Sequence, residues 1–494
     1  MFRSLGTKTF RRIVDVPVLE TSNSPIVPFS VKLLLLGLAT LMVAHADPTT
    51  LRVYPEKTRQ TIQGMGCGAI YYEGHITSFA ARNNEKLQRQ LYDDLFSEVR
   101  TDFLQLMIRP DHEPQNDNDD PYLPKFKPEW FDYCKNNIAI CEAAKKRQPQ
   151  MQIFATLYTP PAWMKTNNNV SGGGKDRATI KPGMELELAE YCWAFLAWMQ
   201  RNGQPVRFLS IANEPDWGHT QPGYCLTPES HAELFAAVAR YLNEMERRHP
   251  EVPKPILVGP NVLSARSAAD QWIAPLMRKV PEALGIVGSH DYDLRGDRLE
   301  RLVKAAEGRP VWVTEWCVNG EDHSPALLYS ATKYWMAMTE AFNSGVNAWM
   351  AYDWVYPPRQ GGEALTHVNW GNSYTRTKIY YGFKQWCSGI VPGMKNVSID
   401  LAGLCASDIG KPGVKAAAFV SADGRKLVVH VAAFQDQPCD LQLQIPQSFA
   451  SRPVKRQRTS ADEDAVALPD LTFKDGALAD SLPTRSMTTY VIEK

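Results

Sequence analysis

The chain has 494 residues, of which 44% are hydrophobic and 22% charged, so it can bury a large core and is long enough for more than one domain. Lysine plus arginine balance aspartate plus glutamate at 54 each. This balance argues against nucleic acid or an anionic membrane surface as a partner, and we expect a neutral partner.

The N-terminal segment has the composition of a secretory signal. Residues 29–46 combine Lys32, an apolar run and the terminal sequence Ala44-His45-Ala46, which predicts cleavage before Asp47. The apolar run is short for a membrane span, and an uncleaved anchor is the alternative. We therefore predict a secreted, extracellular or periplasmic protein, with residues 1–46 as extension and signal peptide and no stable membrane insertion after cleavage.

Strand and helix patterns alternate through the next three hundred or so residues. Helical spacing of apolar residues falls between short runs that are apolar, β-branched or aromatic. Eight such runs alternating with helices predict an α/β protein with a (β/α)8 TIM barrel, because a long alternation is more reliable than any single boundary. The predicted barrel strands are 60–68, 103–109, 151–157, 206–211, 256–259, 286–292, 310–316 and 346–354.

The pattern changes near residue 393, where short strands follow one another with turn residues between them. This is typical of an appended antiparallel β-sandwich. We interpret 61–390 as the catalytic barrel and 391–494 as the sandwich, and we expect the polar stretch 452–464 to be a surface loop. The predicted sandwich strands include 414–420, 426–432, 439–445 and 486–492.

Two predicted barrel strands end on a glutamate. Glu214 lies in Ser210-Ile-Ala-Asn-Glu-Pro215 after the fourth strand, and Glu315 ends the seventh. The carboxyl ends of TIM-barrel strands carry the chemistry, so the two side chains can converge. Hydrolysis of a glycoside needs one carboxylic acid and one carboxylate, whereas either glutamate alone could be a solvated strand end. The pair therefore indicates a glycoside hydrolase.

Other side chains are candidates for contacts with a sugar because they lie at or near strand ends. The aromatic ones can be sugar platforms or ordinary core residues. The arginine can pair with an internal carboxylate, and the histidine can be a structural residue or a substrate contact. These candidates are Arg109, Tyr158, Trp163, Asn213, His290, Tyr292 and Trp354.

Several motifs together resemble glycoside hydrolase family 30, which includes glucosylceramidases, glucuronoxylanases and endo-β-1,6-galactanases. The resemblance covers most of residues 51–494. It implies a barrel joined to a β-sandwich that recruits the N-terminal strand at 47–60, and retaining hydrolysis of β-glycosides without a metal. The motifs are Gln63-Gly-Met-Gly66, Pro161-Ala-Trp-Met-Lys-Thr-Asn167, Ser210-Ile-Ala-Asn-Glu-Pro-Asp216, His290-Asp-Tyr292, Thr314-Glu-Trp316, Lys378-Ile-Tyr-Tyr-Gly-Phe-Lys-Gln-Trp386, Val391-Pro-Gly393 and Ser486-Met-Thr-Thr-Tyr490.

The resemblance also implies individual roles. Glu214 matches the acid/base and Glu315 the nucleophile, while Asn213 matches a residue that bonds the sugar 2-hydroxyl. Tyr292 and Arg109 match positions that orient the nucleophile or keep it ionised. Since like charges repel, we also expect the charge on Glu315 to make Glu214 hold its proton longer than a free carboxyl.

The sequence thus predicts a secreted, monomeric, retaining β-glycosidase that acts on a polysaccharide or oligosaccharide and uses no cofactor. A noncatalytic glycan-binding barrel is the alternative. A metal-dependent barrel hydrolase is disfavoured because the ten histidines include no HxH or HExxH cluster. Xylan, β-1,6-galactan and β-glucosides all stay open as substrates, as does internal or terminal cleavage, because barrel loops set specificity.

Overall fold

The computed structural model describes residues 48–125, 127–450, 452–474 and 476–494. The predicted extension and signal peptide at 1–46 lie outside the described residues. The described chain begins with strand β1 (Thr49–Thr61) and then enters a closed barrel of eight strands, β2 to β9, each parallel to its neighbours. The barrel strands are β2 (Gly64–Ala69), β3 (Phe103–Ile108), β4 (Gln152–Leu157), β5 (Val206–Ser210), β6 (Ile256–Pro260), β7 (Leu284–His290), β8 (Val311–Trp316) and β9 (Ala348–Ala351).

Helices follow most of the barrel strands, and the predicted α/β barrel is confirmed. None of the helices in the described part of the chain is long and apolar enough to cross a membrane. The helices are α1 (Glu73–Ile76), α2 (Glu85–Asp93), α3 (Cys134–Arg147), α4 (Glu185–Arg201), α5 (Pro228–Arg248), α6 (Ala265–Ser267), α7 (Ile273–Lys279), α8 (Arg298–Ala305), α9 (Leu328–Ser344), α10 (Lys378–Gly389) and α11 (Gln447–Ala450).

A layer of aromatic rings fills the interior of the barrel. Trp312 on β8 packs on Phe103 at 4.6 Å, Phe208 at 4.7 Å and Phe154 at 6.3 Å between ring centroids. These rings belong to an apolar cluster of their own, separate from the larger core formed between the strands and the helices. The filled interior closes the barrel below the carboxyl ends of the strands, so the polar side chains at those ends face an open rim.

The last barrel strand is shorter than predicted. β9 ends at Ala351, whereas the sequence pattern continued the strand through Trp354. The backbone N–H of Tyr352 still donates to the Trp316 carbonyl at 2.9 Å, but the next residues leave the barrel and pair with a separate sheet. This small sheet consists of β10 (Asp353–Tyr356), β11 (Ala364–Asn369) and β12 (Ser373–Arg376).

The C-terminal part forms a nine-stranded sheet that takes in β1 from the N-terminus. β1 pairs with β13 in antiparallel and with β16 in parallel orientation, and the other pairs of the sheet are antiparallel. The sheet encloses a second apolar cluster, to which β1 contributes Leu51 and Val53. Its other strands are β13 (Lys395–Ala402), β14 (Gly413–Val420), β15 (Lys426–Phe434), β16 (Cys439–Gln444), β17 (Val454–Thr459), β18 (Val466–Leu471), β19 (Ala477–Leu482) and β20 (Ser486–Glu493).

The expectation that 452–464 is wholly a surface loop is wrong, because β17 lies within this stretch. Arg456 and Arg458 on this strand both pair with the carboxylate of Asp480, at 2.6 and 3.0 Å. Tyr490 donates a hydrogen bond to the same carboxylate at 2.7 Å. The two positive charges are therefore paired with a carboxylate within the sheet. Because β17 contains several charged residues, its sequence resembled that of a surface loop.

Ion pairs connect the barrel helices to the sheet. Arg298 at the start of α8 pairs with Asp291 and, at 2.6 Å, with Glu340 on α9. Glu340 accepts a second ion pair from Lys415 on β14 at 2.8 Å. Arg298 is buried, and Glu340 is largely so, which means that each of these charges depends on its partners.

Candidate active site

The two strand-end glutamates converge at the carboxyl end of the barrel. Glu214 follows β5 and Glu315 lies in β8, and each is 6% exposed. One carboxylate oxygen of each, together with one ring nitrogen of His290, lies within 4.8 Å of the others. This separation suits retaining hydrolysis, in which the carboxyl groups lie about 5–5.5 Å apart, more closely than inverting hydrolysis at about 6.5–9.5 Å.

The backbone at Glu214 adopts an uncommon conformation. Its φ is +46°, in the left-handed region that residues with a side chain rarely occupy. Its N–H donates to the Asn261 carbonyl at 2.9 Å, and the Asn261 amide donates to the Ala212 carbonyl at 2.9 Å. Asn261 also accepts a hydrogen bond from Thr314, the residue before Glu315. A single residue after β6 thus supports both glutamates, through its backbone carbonyl and its side chain, and strain held in this way is common at functional sites.

His290 lies between the two carboxylates rather than facing a substrate. Its Nδ1 is 2.8 Å from Glu214 and 3.6 Å from Glu315, and the residue is fully buried. The pairing of β7 with β8 shifts by one residue after Ser289, so that His290 pairs with Glu315. Such a bulge turns a side chain towards a site. The candidate role of His290 as a sugar contact is therefore corrected to that of a partner of both carboxylates.

A second histidine, not recognised in the sequence, lies at the other oxygen of Glu214. His219 Nε2 is 2.8 Å from Glu214 Oε2, and the side chain is 22% exposed. His219 belongs to a segment without regular structure after β5 that contains Gly218 and Gly223. No periodicity marks such a segment, and the only signal in the sequence is the closeness of a histidine to the Asn-Glu-Pro motif.

Two tyrosine hydroxyls hold the carboxylate of Glu315. Tyr292 donates to Oε1 and Tyr158 to Oε2, each at 3.0 Å. Tyr158 is buried at 3% exposure, and its ring packs edge to face on Tyr71. The structure therefore places Tyr158 as a partner of Glu315 rather than as a platform for a sugar. The placement of Tyr292 at Glu315 matches the position that the family resemblance implies.

The two carboxyl groups differ in their protonation. Burial raises the pKa of Glu315, and the charge of Glu214 raises it further, against the opposing effects of His290 and the two tyrosines. Burial also raises the pKa of Glu214, but His219 and His290 outweigh it and lower the pKa below its usual value. This arrangement does not favour the expectation that Glu214 holds its proton longer than a free carboxyl. That expectation considered only the charge of Glu315 and not the two histidines, which lower the pKa of Glu214.

Asn213 is next to Glu214 and is 5% exposed. Its side-chain oxygen is buried and, among the described residues, has no hydrogen-bond partner. A buried polar atom without a partner is costly unless a ligand or water completes it. Asn213 is thus placed so that a sugar hydroxyl could supply the missing partner, which agrees with the role that the resemblance implies.

Arg109 points to other carboxylates than expected. Its Nε lies 2.7 Å from Asp111 and its Nη1 3.7 Å from the buried Glu73. No ion pair of the described residues joins it to Glu315. The proposed role of Arg109 in orienting the nucleophile is therefore corrected: the side chain ties its own loop to α1, which is the alternative that the sequence left open.

The two candidate tryptophans differ in exposure. Trp354 is fully buried and packs edge to face on Phe96 at 5.6 Å, so it is a core residue and no sugar platform. Trp163 is half-buried, and its indole N–H donates to the Glu113 carbonyl at 2.9 Å. An aromatic that the candidates omitted, Trp217, is 55% exposed three residues after Glu214. Trp163 after β4 and Trp217 after β5 are therefore accessible tryptophans that follow the carboxyl ends of barrel strands, whereas Trp354 is not accessible.

Comparison with known proteins points to one kind of enzyme. A model of the glycosyl hydrolase family 30 TIM-barrel domain matches residues 113–237, and a model of a glycosyl hydrolase catalytic core matches residues 189–361. The Bacillus subtilis (strain 168) protein named "Glucuronoxylanase XynC" is 22% identical over 353 residues, which are 69% of this chain and 74% of that protein.

A second relative matches a smaller part. The Caenorhabditis elegans protein named "Putative glucosylceramidase 2" is 27% identical over 184 residues, and the match spans 35% of each chain. Among solved structures, the catalytic domain of GH30 xylanase C from Talaromyces cellulolyticus superposes with a TM-score of 0.71 at 19% identity, covering 90% of this chain and 100% of that domain. At this identity the structural match supports the fold.

Proposed function

We propose that this chain, which belongs to glycoside hydrolase family 30, hydrolyses a β-linked polysaccharide or oligosaccharide with retention of configuration, with Glu315 as nucleophile and Glu214 as acid/base. The observation that carries the proposal of a catalytic pair is the convergence of the two carboxylates within 4.8 Å at the carboxyl end of the barrel. We also propose that the protein is secreted, on the basis of the signal-like residues 29–46.

In the first step the Glu315 carboxylate attacks the anomeric carbon. The bond from that carbon to the leaving oxygen breaks, and the leaving oxygen takes a proton from Glu214. The products are a glycosyl ester of Glu315 and the released alcohol end of the glycan. Tyr292 and Tyr158, each 3.0 Å from one oxygen of Glu315, hold the attacking carboxylate in a fixed orientation.

In the second step water cleaves the ester. Glu214, now ionised, takes a proton from the water, whose oxygen attacks the anomeric carbon and displaces the Glu315 carboxylate. Two inversions at one carbon give net retention. The unpartnered oxygen of Asn213 accepts a hydrogen bond from the sugar 2-hydroxyl, an interaction that strengthens in the transition state.

The first step requires a proton on Glu214 and a charge on Glu315, which is the reverse of what the free site favours. His290 can supply the difference. Although burial lowers its pKa, Glu315 and Glu214 outweigh this effect and raise the pKa above its usual value. Its Nδ1 lies 2.8 Å from Glu214 and 3.6 Å from Glu315, so a protonated His290 can give its proton to Glu214 before the glycosidic bond breaks. The glycan oxygen that enters beside His219 then takes this proton from Glu214, which is left ionised for the second step.

The test is a comparison of Glu315→Ala and Glu214→Ala with added azide. We expect Glu315→Ala to lose more than about 10⁴-fold in kcat. Glu214→Ala should lose about 10²- to 10⁴-fold on glycosides with poor leaving groups and much less on aryl glycosides, which need no proton. Azide should restore turnover in both, with an α-glycosyl azide from Glu315→Ala and a β-glycosyl azide from Glu214→Ala.

An α-glycosyl azide from Glu315→Ala together with a β-glycosyl azide from Glu214→Ala would support the roles as proposed. The reverse pair of products would mean that Glu214 is the nucleophile and Glu315 the acid/base. Turnover near the wild-type level in either variant would contradict the assignment. Glu244→Gln is the matched control, because this partly exposed glutamate pairs with Arg247 and Arg248 on α5, away from the site. Product profiles on xylan, β-1,6-galactan and β-glucosides would then identify the substrate and show whether cleavage is internal or terminal.

A further inference from the structure

A cluster of carboxylates outside the catalytic pair lies where the segment after β3 packs on α4. Glu113 and Asp117 belong to that segment, and Glu190 belongs to α4. One carboxylate oxygen of each lies within 4.8 Å of the other two. Glu113 is 4% exposed and Glu190 1%, whereas Asp117 is half-buried and open to solvent.

The charges that act most on the two buried carboxylates are negative. Those that act most on Glu113 are Glu190, Asp117 and Glu187, and those that act on Glu190 include Asp117 and Glu187. Burial, with these charges, raises the pKa of Glu113 to about 9 and that of Glu190 to about 8. Buried carboxylates that repel one another must take up protons or bind a cation.

Two carboxylate oxygens in the cluster lack a partner. Glu113 Oε1 and Glu190 Oε2 are buried and, among the described residues, accept no hydrogen bond. This is a separate observation from their closeness, since buried acceptors are nearly always satisfied. Both residues are more than nine-tenths buried, so solvent does not supply the missing partner at their surface.

The remaining contacts of the cluster involve Asn118 and Lys125. Asn118 Nδ2 donates to Glu190 Oε1 at 2.9 Å and also contacts Asp117, while its Oδ1 is buried without a partner. Rotating this amide would turn the unpartnered oxygen to the same carboxylates. Lys125 donates its backbone N–H to Asp117 Oδ2 at 2.7 Å, and its ammonium group bonds the Asp117 carbonyl at 3.2 Å.

We propose that Glu113, Asp117 and Glu190 bind a Ca²⁺ ion that fastens the segment after β3 to α4. The donors are all carboxylate oxygens, whereas zinc prefers nitrogen and sulfur ligands, so this set of donors fits zinc poorly. Ca²⁺ binds oxygens at about 2.3–2.6 Å, so oxygens on its surface lie up to about 5 Å apart, which accommodates the spread seen here. Mg²⁺ requires a smaller, near-ideal octahedron and gives up its waters reluctantly, so it fits less well.

The ion would stabilise one wall of the cleft without entering the chemistry. The backbone carbonyl of Glu113 accepts the indole N–H of Trp163, which follows the carboxyl end of β4. The Tyr191 hydroxyl, next to Glu190 on α4, donates to the Arg109 carbonyl at the start of the same segment. The inference does not depend on the proposed catalytic roles, because none of the cluster residues contacts Glu214 or Glu315 in the described structure.

The full chain, dialysed against EDTA, is titrated with Ca²⁺ by calorimetry and thermal unfolding up to about 10 mM, beyond the range of extracellular calcium modules. We expect one saturable site and a Tm higher by at least about 3 °C at saturation. Tb³⁺ should bind the same site with luminescence sensitised by Trp163. The kcat of the calcium-free enzyme at a temperature well below its Tm should stay unchanged, since the ion takes no part in catalysis.

Glu190→Gln and Asp117→Asn should each weaken Ca²⁺ binding at least about tenfold. Asp117→Asn covers the case in which the buried variant does not fold. Asp119→Asn, an exposed residue of the same segment, is the matched control and should bind like wild type. The proposal is overturned if folded wild type shows no saturable binding of Ca²⁺, or if both cluster variants bind Ca²⁺ as tightly as wild type. It is also overturned if Glu190→Gln without Ca²⁺ is as stable as Ca²⁺-loaded wild type. That result would show that protons, rather than a cation, neutralise the cluster.

Discussion

The imidazole of His219 lies 2.8 Å from the carboxylate of Glu214, Nε2 to Oε2, while the other oxygen of Glu214 lies 2.8 Å from His290. Each oxygen of the proposed acid/base thus has its own histidine. His290 is fully buried, but His219 is partly exposed and belongs to an irregular segment. His219 is therefore the partner that an incoming glycan can displace, and its removal is the most direct way to change the protonation of Glu214.

The first prediction concerns His219→Gln. The two histidines lower the pKa of Glu214 against the effect of burial, so losing one of them should raise that pKa. Because the first step needs a protonated Glu214, the alkaline limb of kcat/KM should move to higher pH, with the maximum rate kept within about tenfold. The measurement is the pH profile on a glycoside with a poor leaving group.

An aryl glycoside with a strongly acidic phenol is the control for this experiment, since its departure needs no proton. On this substrate the alkaline limb of the pH profile should be the same for His219→Gln as for wild type. Equal shifts on both substrates would mean that His219 acts on Glu315 or on the fold rather than on Glu214. A shift to lower pH on the poor leaving group would contradict the assigned electrostatics.

Much of the fold was predictable because it depends on long patterns. Eight alternations of strand and helix leave few other architectures, and a boundary error of a few residues does not change the count. The strand-end glutamates were found for the same reason, since the end of an apolar run is visible in the sequence. The closeness of Glu214 and Glu315 then follows from the barrel, in which all parallel strands end on one rim.

The errors concern features that no local pattern marks. Trp354 looked like a strand-end residue because the apolar run does not show where the backbone leaves the barrel after Ala351. Arg109 was placed at the nucleophile because the sequence does not tell which of several carboxylates an arginine meets. β17 was missed because Asp480, which pairs with its arginines, lies on another strand. Each miss depends on a partner distant in the chain.

The second prediction concerns Tyr292→Phe. The hydroxyl donates to Glu315 at 3.0 Å and thereby favours the ionised nucleophile. A hydrogen bond to a charged group is worth about 1.5–3 kcal/mol, so kcat/KM should fall by about 10- to 150-fold. Because the pKa of Glu315 would rise further, the acid limb of the pH profile should move to higher pH.

Tyr54→Phe is the matched control for this substitution. The Tyr54 hydroxyl also donates to a carboxylate, that of Asp400 at 2.6 Å, but in the C-terminal sheet. It should leave kcat/KM and the acid limb unchanged. If Tyr292→Phe kept full activity with an unshifted profile, the hydroxyl would have no part in holding the nucleophile.

The third prediction concerns Glu340→Gln, which removes the carboxylate shared by Arg298 and Lys415. Removing this carboxylate leaves Lys415 without an ion-pair partner among the described residues and Arg298 paired only with Asp291 and Asp293, so we expect a loss of about 2–4 kcal/mol in the free energy of unfolding at pH 7. Although burial raises the pKa of Glu340, Lys415 and Arg298 outweigh it and lower that pKa from its usual value of 4.5. Urea unfolding of both proteins measures the difference.

The sign of the pH dependence follows from that lowered pKa. The stabilisation is present above the unfolded pKa and is lost as pH falls through the lower folded pKa. The difference between wild type and Glu340→Gln should therefore be full at neutral pH and shrink below about pH 4.5. A difference that grew on acidification would contradict the ion-pair account. Glu244→Gln, on the surface of α5, should show a much smaller difference over the same pH range, because solvent-exposed ion pairs contribute little.

The fourth prediction separates the two tryptophans by exposure. Trp217 is 55% exposed and its backbone N–H donates to the Glu214 carbonyl at 2.9 Å, so the residue lies in the same turn as the proposed acid/base. Since a flat apolar face binds the face of a sugar ring, Trp217→Ala should raise KM on the polymeric substrate by about 3- to 10-fold and leave Tm unchanged.

Trp354 is fully buried, so Trp354→Ala should cost about 3–5 kcal/mol of stability, and the milder Trp354→Phe should lower Tm without changing KM. Steady-state kinetics and thermal unfolding of the three variants decide between the two residues, and a rise in KM for Trp354→Phe with an unchanged Tm would restore the sugar-platform role that its burial argues against.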